Sequence, residues 1–410
     1  MRSNREQTLP KKKHFIPTKT AYKILLILMM LVGVAFLVMM TVVDAFPKNM
    51  VVGFLATLVV LIVVADILMS RDRKWMRIVG TIIAALFIAI YGLGTYYLAN
   101  TYSMFARITV EDTATAAKAQ RVNVTEDAFN VYITGIDQWT VEKGEDLERS
   151  DVNMIVTVNP KTRKILLTSI PRDAYVPLHR TGTMDKLTHT GIYGVDETLN
   201  TIKDWTGYDM NYYVKVNFSA CVHIVDAIGG VDVNSPVAFN SSISKYKYKK
   251  GINHLDGHQA LYFARERKAF NGEDQLRVKN QLILIKAMLN KVMSSPALLT
   301  SYGELMEAIS EDMETNMPEE DIQELIKLQL SDLSGWNIKM QRMTGKYDMA
   351  VVASMDASNE YLVLKVDDKS FNKCLKGIDK CMNPSEAEIA KAIATRQKNS
   401  IISFIKQFKK

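Results

Sequence analysis

Three long apolar runs crowd the first hundred residues, and they limit what this chain can fold into more than any other feature. They cover roughly Ala21–Val43, Met50–Met69 and Ile78–Leu98. Each is near the ~20 residues an α-helix needs to cross a bilayer. A helix buried in a soluble core keeps a polar face, and these runs do not, so three membrane-spanning helices are expected. The loop charges give the orientation. Residues 1–20 carry Arg2, Arg5, Lys11, Lys12, Lys13 and Lys19, and the link "SRDRKWMR" carries Arg71, Arg73, Lys74 and Arg77. The link "DAFPKN" has Lys48 opposed by Asp44. The positive-inside bias places the N-terminus and the second link in the cytoplasm and everything after residue ~99 outside. The first run is too long for a cleaved signal peptide, and no small-residue cleavage site follows it.

The expected organisation is a cytoplasmic basic tail (1–20), three transmembrane helices (21–99), an extracellular stalk (100–127), a globular domain (128–375) and a basic helical tail (376–410). The net charge of +7 belongs partly to the cytoplasmic anchors, and no zinc-finger, RNP or basic-zipper pattern is present. Nucleic acid is therefore not expected as a partner. Of three cysteines, Cys374 and Cys381 in "CLKGIDKC" are close enough in an exported segment to be read as a disulfide. Cys221 lies among apolar neighbours and reads as core. A zinc site would need more Cys or His ligands.

The globular part begins at "AFNVYITGID", where Phe129, Val131 and Ile133 alternate with Asn130, Tyr132 and Thr134, a strand pattern. "DVNMIVTVNPKTRKILLTSIPRD" reads as a hairpin turning at Asn159-Pro160-Lys161-Thr162. "NYYVKVNF" is a further strand, and "SACVHIVDAI" a helix stopped by Gly229-Gly230. "LDGHQALYFA" is a helix entered at Asp256, followed by amphipathic helices over about Asp274–Ser294 and Pro318–Leu330 and by strands at "WNIKMQRM" and "YLVLKV". Alternating strands and helices indicate one α/β domain. The last twenty residues form a basic amphipathic helix, read as a surface helix, with contact to anionic lipid or wall polymer as the alternative.

The hairpin places charge together. Antiparallel pairing sets the start of one strand beside the end of the other. If the first strand also runs antiparallel to the middle one, Asp137, Arg149, Asp151, Arg172 and Asp173 share one sheet edge. Two carboxylates near two arginines suit a divalent cation with phosphate, since Mg²⁺ takes carboxylate oxygens and keeps phosphate oxygens as further ligands. The same charges could form exposed ion pairs, which contribute little. The charges alone leave both readings open. "YFARERKAFNGEDQLRVKNQ" adds to the cluster. Arg265 and Arg267 share a face if the chain is extended there. Asp274, Arg277 and Gln281 align on one helix face, and Leu282, Leu284, Ile285 and Leu289 are left for the core. Glu266 and Asp274 are expected to hold the arginine forks in place. Lys186 in "DKLTHTGIYG" is in reach of a phosphate but reads by default as a loop lysine. His254 and His258 belong to a helix entry, and no G-x-S-x-G nucleophile turn exists.

"GID", "RSDVNMIVTVNPKT", "TSIPRDAYVPL", "DKLTHTGIYG", "NFSACVHIVDAIGGVDV", "LDGHQALYFARER" and "DQLRVKNQ", in this order over roughly residues 128–295, resemble the LytR-CpsA-Psr family of bacterial cell-wall proteins. The three-span anchor resembles its capsule-associated branch. The resemblance implies an α-β-α layered domain with a central mixed sheet and an apolar tunnel for a polyprenyl tail. It implies transfer of a phosphorylated glycopolymer (teichoic acid, capsule or a related polysaccharide) from a polyprenyl-pyrophosphate carrier to peptidoglycan, outside the membrane of a Gram-positive-type bacterium. Asp137 and Asp151 would bind Mg²⁺, or Mn²⁺ in its place. Arg149, Arg172, Arg265, Arg267, Arg277 and Gln281 would hold the phosphates, and Asp173 or Asp274 would orient the acceptor hydroxyl or serve in ion pairs. Many relatives carry two consecutive glutamines where this chain has Gln281-Leu282. The accessory domain that precedes the core in some capsule-type members is not expected here. Two other readings are a non-enzymatic regulator that binds polyprenyl phosphate and a pyrophosphohydrolase that uses water as acceptor.

Overall fold

The structure is a computed structural model that describes residues 19–108, 122–136, 150–270, 274–294, 312–332 and 335–407. The chain folds as two compact units, Met1–Ala99 and Asn100–Lys410.

The first unit contains helices α1 (Lys19–Val43) and α2 (Lys48–Ser70) and most of α3 (Lys74–Ile108). All three are long and apolar enough to cross a membrane. α1 and α2 approach closely at Gly33, where a Cβ would come within 2.1 Å of the Leu58 side chain. Close approach at small residues is how helices associate in lipid, where burial from water gives no drive. Ile24, Leu31, Val52, Val60, Ile82 and Ile90 face outward, more than half exposed, as lipid-facing side chains do. α3 continues to Ile108, so the expected stalk begins as helix. Residues 109–121 lie outside the described residues.

The second unit opens with three antiparallel strands, β1 (Phe129–Ile136), β2 (Ser150–Asn159) and β3 (Lys164–Ile170). A short ribbon, β4 (Tyr175–Pro177) and β5 (Met184–Lys186), leads through a 3₁₀ turn over Leu187–Tyr193 to helix α4 (Val195–Thr206). β6 (Tyr212–Val216) and α5 (Phe218–Ala227) follow. Gly229 and Gly230, both at positive φ (72° and 78°), stop α5 as expected. Next come β7 (Val231–Ser235), the short pair β8 (Phe239–Asn240) and β9 (Lys247–Tyr248), and β10 (Gly251–Leu255). Helix α6 (Gly257–Arg265) is entered through a capping box between Asp256 and Gln259. Then follow α7 (Asp274–Ser294), β11 (Met313–Thr315), α8 (Glu319–Asp332), β12 (Asn337–Arg342), the hairpin β13 (Gly345–Ala350) and β14 (Tyr361–Val366), and helices α9 (Asp368–Met382) and α10 (Glu386–Gln407).

The central sheet runs in the order β11-β6-β1-β2-β3-β12 and is mixed. β6 pairs with β1, and β12 with β3, in parallel; the other neighbours are antiparallel. Alternate residues feed two cores. Tyr132, Ile155, Leu166 and Ile170 pack against α4 and α9. Phe129, Val131, Met154, Val156 and Leu167 pack against α7 and α8. The residues that alternate with Phe129, Val131 and Ile133 in β1 are buried too: Asn130 and Tyr132 are each 1% exposed, because helices cover both faces. This is the α-β-α layering that the resemblance implied. On α7, Leu282, Ile285 and Leu289 face the sheet, while Leu284 packs with α6 and β7 in a third cluster. α6 crosses α5 closely at Gly257, where an added Cβ would meet the Val222 carbonyl at 2.3 Å.

The C-terminal end departs from expectation. The boundary at residue 375 falls inside α9, whose Ile378 and Cys381 belong to the core. α10 is docked as well: Arg396 donates to the Lys161 carbonyl at 3.2 Å, and Glu388 pairs with Lys164 at 3.4 Å. The expected disulfide does not form. Cys374 and Cys381 are free, buried thiols. Seven residues of one helix separate them by roughly 10 Å along its axis, beyond disulfide reach. Burial pushes both thiols up to about 11. Alkylation of the unreduced protein after denaturation should modify all three cysteines, with Cys374 and Cys381 protected in the folded state. A cross-linked peptide by mass spectrometry would contradict this.

Candidate functional site

The sheet register brings three chain ends to one corner. Ile136 at the end of β1 pairs with Ser150 at the start of β2, and Asn153 pairs with Ile170 at the end of β3. Asp151, Arg172 and Asp173 sit at or just past these ends. Asp137 and Arg149, which belong to the same expectation, lie outside the described residues. Arg172 donates through Nη1 to Asp151 Oδ1, and its Nε lies 3.6 Å from Asp173 Oδ2. Lys186 Nζ lies 3.6 Å from the other Asp173 oxygen. The four side chains, 16–26% exposed, form an alternating chain of charges: Asp151, Arg172, Asp173, Lys186.

Lys186 was read as a loop lysine, and the structure places it in this network. The ribbon sets Lys186 opposite Tyr175. The backbone then crosses the strand ends, with Leu187 N–H donating to the Ala174 carbonyl and Thr188 N–H to the Arg172 carbonyl, both at 2.9 Å. The preceding Asp185 is fully buried. It meets His189 Nδ1 at 2.7 Å and accepts from the Ser354 N–H at 2.8 Å and the Lys186 N–H at 2.6 Å. Burial alone would raise the Asp185 carboxyl, but bonds from His189, Ser354 and Lys186 outweigh it and hold it low. Ser354 Oγ also approaches His189 Nδ1, at 2.8 Å. A nucleophilic relay needs serine and carboxylate on opposite ring nitrogens. Here both meet the same nitrogen, so the trio is a clasp that fixes Lys186. The only sequence signal for it was the polar run "DKLTH".

The second group comes from α6 and α7. Arg265 closes α6 with its guanidinium 4.0 Å from the Phe218 ring centre. The chain becomes extended at Glu266 (φ −63°, ψ 129°), so the expected extended segment begins one residue after Arg265. Arg267 follows, exposed. Glu266 is not a partner of the arginine forks. Its carboxylate, 0% exposed, accepts from Ser241 Oγ, Ser242 N–H, Ser242 Oγ, Arg267 N–H and Ala269 N–H at 2.6–3.1 Å. Burial would raise its pKa, but the bonds from Ser242, Ala269 and Ser241 together lower it.

α7 starts at Asp274, as the spacing predicts. The Asp274 side chain lies outside the described atoms. Arg277, in the first turn, is 7% exposed, and Gln281, one turn on, is half-buried. Val278 and Pro171 line one small cleft, so this first turn lies at the end of β3, next to Arg172. Asn280 Nδ2 donates to the Phe263 carbonyl at 3.0 Å and ties α7 to the end of α6. The first turn also presents backbone N–H groups, which favour anions. Arg172, Lys186 and the Arg277-bearing first turn of α7 thus gather beside Asp151 and Asp173, an arrangement suited to binding phosphate oxygens. Among the described residues no cluster of three metal-ligating side chains exists.

Comparison with known proteins gives a consistent picture. A family model, LytR_cpsA_psr, matches residues 95–379. The polyisoprenyl-teichoic acid–peptidoglycan teichoic acid transferase TagU of Enterococcus faecalis is 30% identical over 262 residues, 63% of this chain and 84% of that one. The protein of the same name from Bacillus mycoides is 33% identical over 259 residues, 61% of this chain and 83% of that one. The crystal structure of B. subtilis TagV superposes with a TM-score of 0.51 at 27% identity, covering 63% of this chain and 98% of that one. With the layered mixed sheet and a match across more than half its length, the chain belongs to the LytR-CpsA-Psr family.

Proposed function

We propose that this protein is a membrane-anchored transferase that moves a phosphorylated glycopolymer of the teichoic-acid class from a polyprenyl-pyrophosphate carrier to peptidoglycan on the outer face of the membrane. The observation that carries this reading is the charged corner, where Asp151, Arg172, Asp173 and Lys186 meet the first turn of α7. The relatives' names, teichoic acid transferases acting between a polyisoprenyl carrier and peptidoglycan, support the substrate class. The three apolar helices and the loop charges support the placement.

An acceptor hydroxyl of the peptidoglycan glycan attacks the phosphorus next to the polymer. A phosphorus–oxygen bond to the acceptor forms as the bond to the carrier's phosphate breaks, and polyprenyl phosphate leaves. Arg172, Lys186 and Arg277 offset the charge that grows on the leaving phosphate. Arg267, exposed just after α6, supplies a fork for one phosphate of the pyrophosphate. Asp173, held between Arg172 and Lys186, accepts a hydrogen bond from the attacking hydroxyl and orients it. Asp151 offers hard carboxylate oxygens near the surface. With no three-ligand cage among the described residues, it fits Mg²⁺ in the mode that uses one or two carboxylates plus substrate phosphates. Asp151 and Asp137 would hold that ion, which would supply further neutralisation of the pyrophosphate.

The test is the full chain in detergent micelles, given a defined lipid-linked glycan and peptidoglycan oligomers. Glycan on the oligomer with release of polyprenyl phosphate is expected. Tight lipid binding without turnover would make the protein a sensor, and release without acceptor attachment a pyrophosphohydrolase. Asp151→Ala should cut transfer by about a hundredfold and blunt its response to Mg²⁺. It should also abolish Mg²⁺-dependent thermal stabilisation in the presence of pyrophosphate. An unchanged metal response in both readouts would remove Asp151 from the metal site.

A further inference from the structure

The free edge of the sheet carries a second charged feature. β12 ends the strand order, α9 runs beside it, and a groove of about 940 Å³ lies between them. Lys164, Lys339 and Arg342 line it from the strands, and Lys369, Lys373 and Lys380 from α9. Among the described residues Asp367 is the one carboxylate lining it. The whole chain is nearly balanced, with 51 bases to 44 acids, so this ratio is a local concentration. Positions 369, 373 and 380 form one stripe along the helix. On the strand side, Lys164 pairs with Asn337, two residues before Lys339, so these two lysines share the α9 face, whereas Arg342, three residues on, turns to the other face at the groove's end.

Other contacts sharpen the picture. Glu388 on α10 lies 3.4 Å from Lys164 and 3.6 Å from Lys380 and neutralises that end of the groove. Lys339, Lys369 and Lys373 have no ion-pair partner among the described residues. Like charges facing each other across a groove repel, so the fold gains nothing from them. Arg342 pairs in register with Ser169, three residues before Arg172. Arg342 and Thr344 line both this groove and the small cleft shared by Pro171 and Val278. This end of the groove therefore lies beside the strand ends that carry the charged corner.

We propose that this groove holds the donor's phosphate-bearing polymer, several repeats beyond the pyrophosphate, as an extended polyanion. The inference rests on the transfer reading given above. A concave track with lysines on both walls suits a single chain better than a flat membrane surface. Five of the six cations are lysines, which act as mobile point charges. That suits a repeating phosphodiester passing along the track, whereas fixed arginine forks would lock one phosphate.

The experiment measures binding of lipid-free poly(glycerol phosphate) to the full chain in uncharged micelles, as a function of salt. Combined substitution of Lys339→Gln, Lys369→Gln and Lys373→Gln should weaken binding by roughly tenfold or more and flatten the salt dependence. The corresponding Lys→Arg triple keeps the charge and should bind at least as tightly as the parent. Neutralising Lys247, Lys249 and Lys250, a separate basic cluster, should leave binding unchanged. No binding by the parent, equal binding by the glutamine triple, or loss only in the Lys247 cluster would overturn the proposal. So would an acidic peptide that binds the groove more tightly than the polymer. The probe carries neither prenyl chain nor pyrophosphate. A chain that binds it but transfers nothing faults the transfer reading, and a chain that transfers but shows no groove effect faults this one.

Discussion

Arg267→Lys is expected to transfer glycan more than tenfold slower than the parent, with the fold intact. Arg267 is exposed, so the exchange leaves the packed core untouched. Its backbone is held from the other side: the Arg267 N–H donates to the buried Glu266 carboxylate at 3.1 Å. The side chain thus leaves a fixed point, and what it offers depends on its head group. Lysine keeps the charge but loses the planar pair of donors that grips two phosphate oxygens. Loss of one preorganised donor to a developing anion lowers rates by on the order of 10²–10³, and the retained charge recovers part of this. Steady-state transfer from a lipid-linked donor measures the effect. Arg267→Ala should in addition weaken lipid binding. A lysine variant at the parental rate, with an alanine variant of parental lipid affinity, would reduce Arg267 to an ordinary surface cation.

Strand and helix positions in this domain were legible from apolar and β-branched runs bounded by turn residues, even though helices bury both faces of β1 and β3. β3 over Lys164–Ile170 and α7 over Asp274–Ser294 match their apolar patterns residue for residue. The hairpin then carried Asp151 and Arg172 to one corner by geometry alone, and the Asp151–Arg172 contact is its result. Lys186 was not legible in the same way. Its place depends on the Asp185 clasp, which needs Ser354 from far along the chain. Glu266 misled for a similar reason. Its neighbours in sequence are arginines, but its donors include Ser241 and Ser242 from a distant loop. The cysteines carried a signal that short-range spacing obscured. Phe371, Cys374, Leu375, Ile378, Cys381 and Met382 recur at helical intervals and pack in one core, so "CLKGIDKC" is an amphipathic helix and not a closed loop.

Glu266→Ala is expected to destabilise the second unit by about 3 kcal/mol, because five donors lose a carboxylate that is itself buried. For a domain of this size that corresponds to a Tm lower by roughly 6–12 °C. Glu266→Gln keeps the shape but turns an amide NH₂ toward donors, so most of the loss should remain. The pH dependence has a definite sign. The folded-state pKa of Glu266 lies below the ordinary glutamate value: burial would raise it, but the bonds from Ser242, Ala269 and Ser241 prevail. A depressed carboxylate contributes stability that is fully present above the unfolded-state pKa and is lost as pH falls through the folded-state value. The parent should therefore lose stability on acidification below the ordinary glutamate range more steeply than Glu266→Gln, and the two melting curves should converge at low pH. The same variant carries a consequence for transfer. With Glu266 gone, the Arg267 N–H and the Ser241–Ser242 loop lose their common anchor, so Arg267 starts from an unfixed backbone. Transfer should fall in Glu266→Gln even at temperatures where the protein remains fully folded. Parental transfer there, or a gap between the melting curves that does not close with acid, would show that Glu266 neither anchors Arg267 nor titrates as a buried carboxylate.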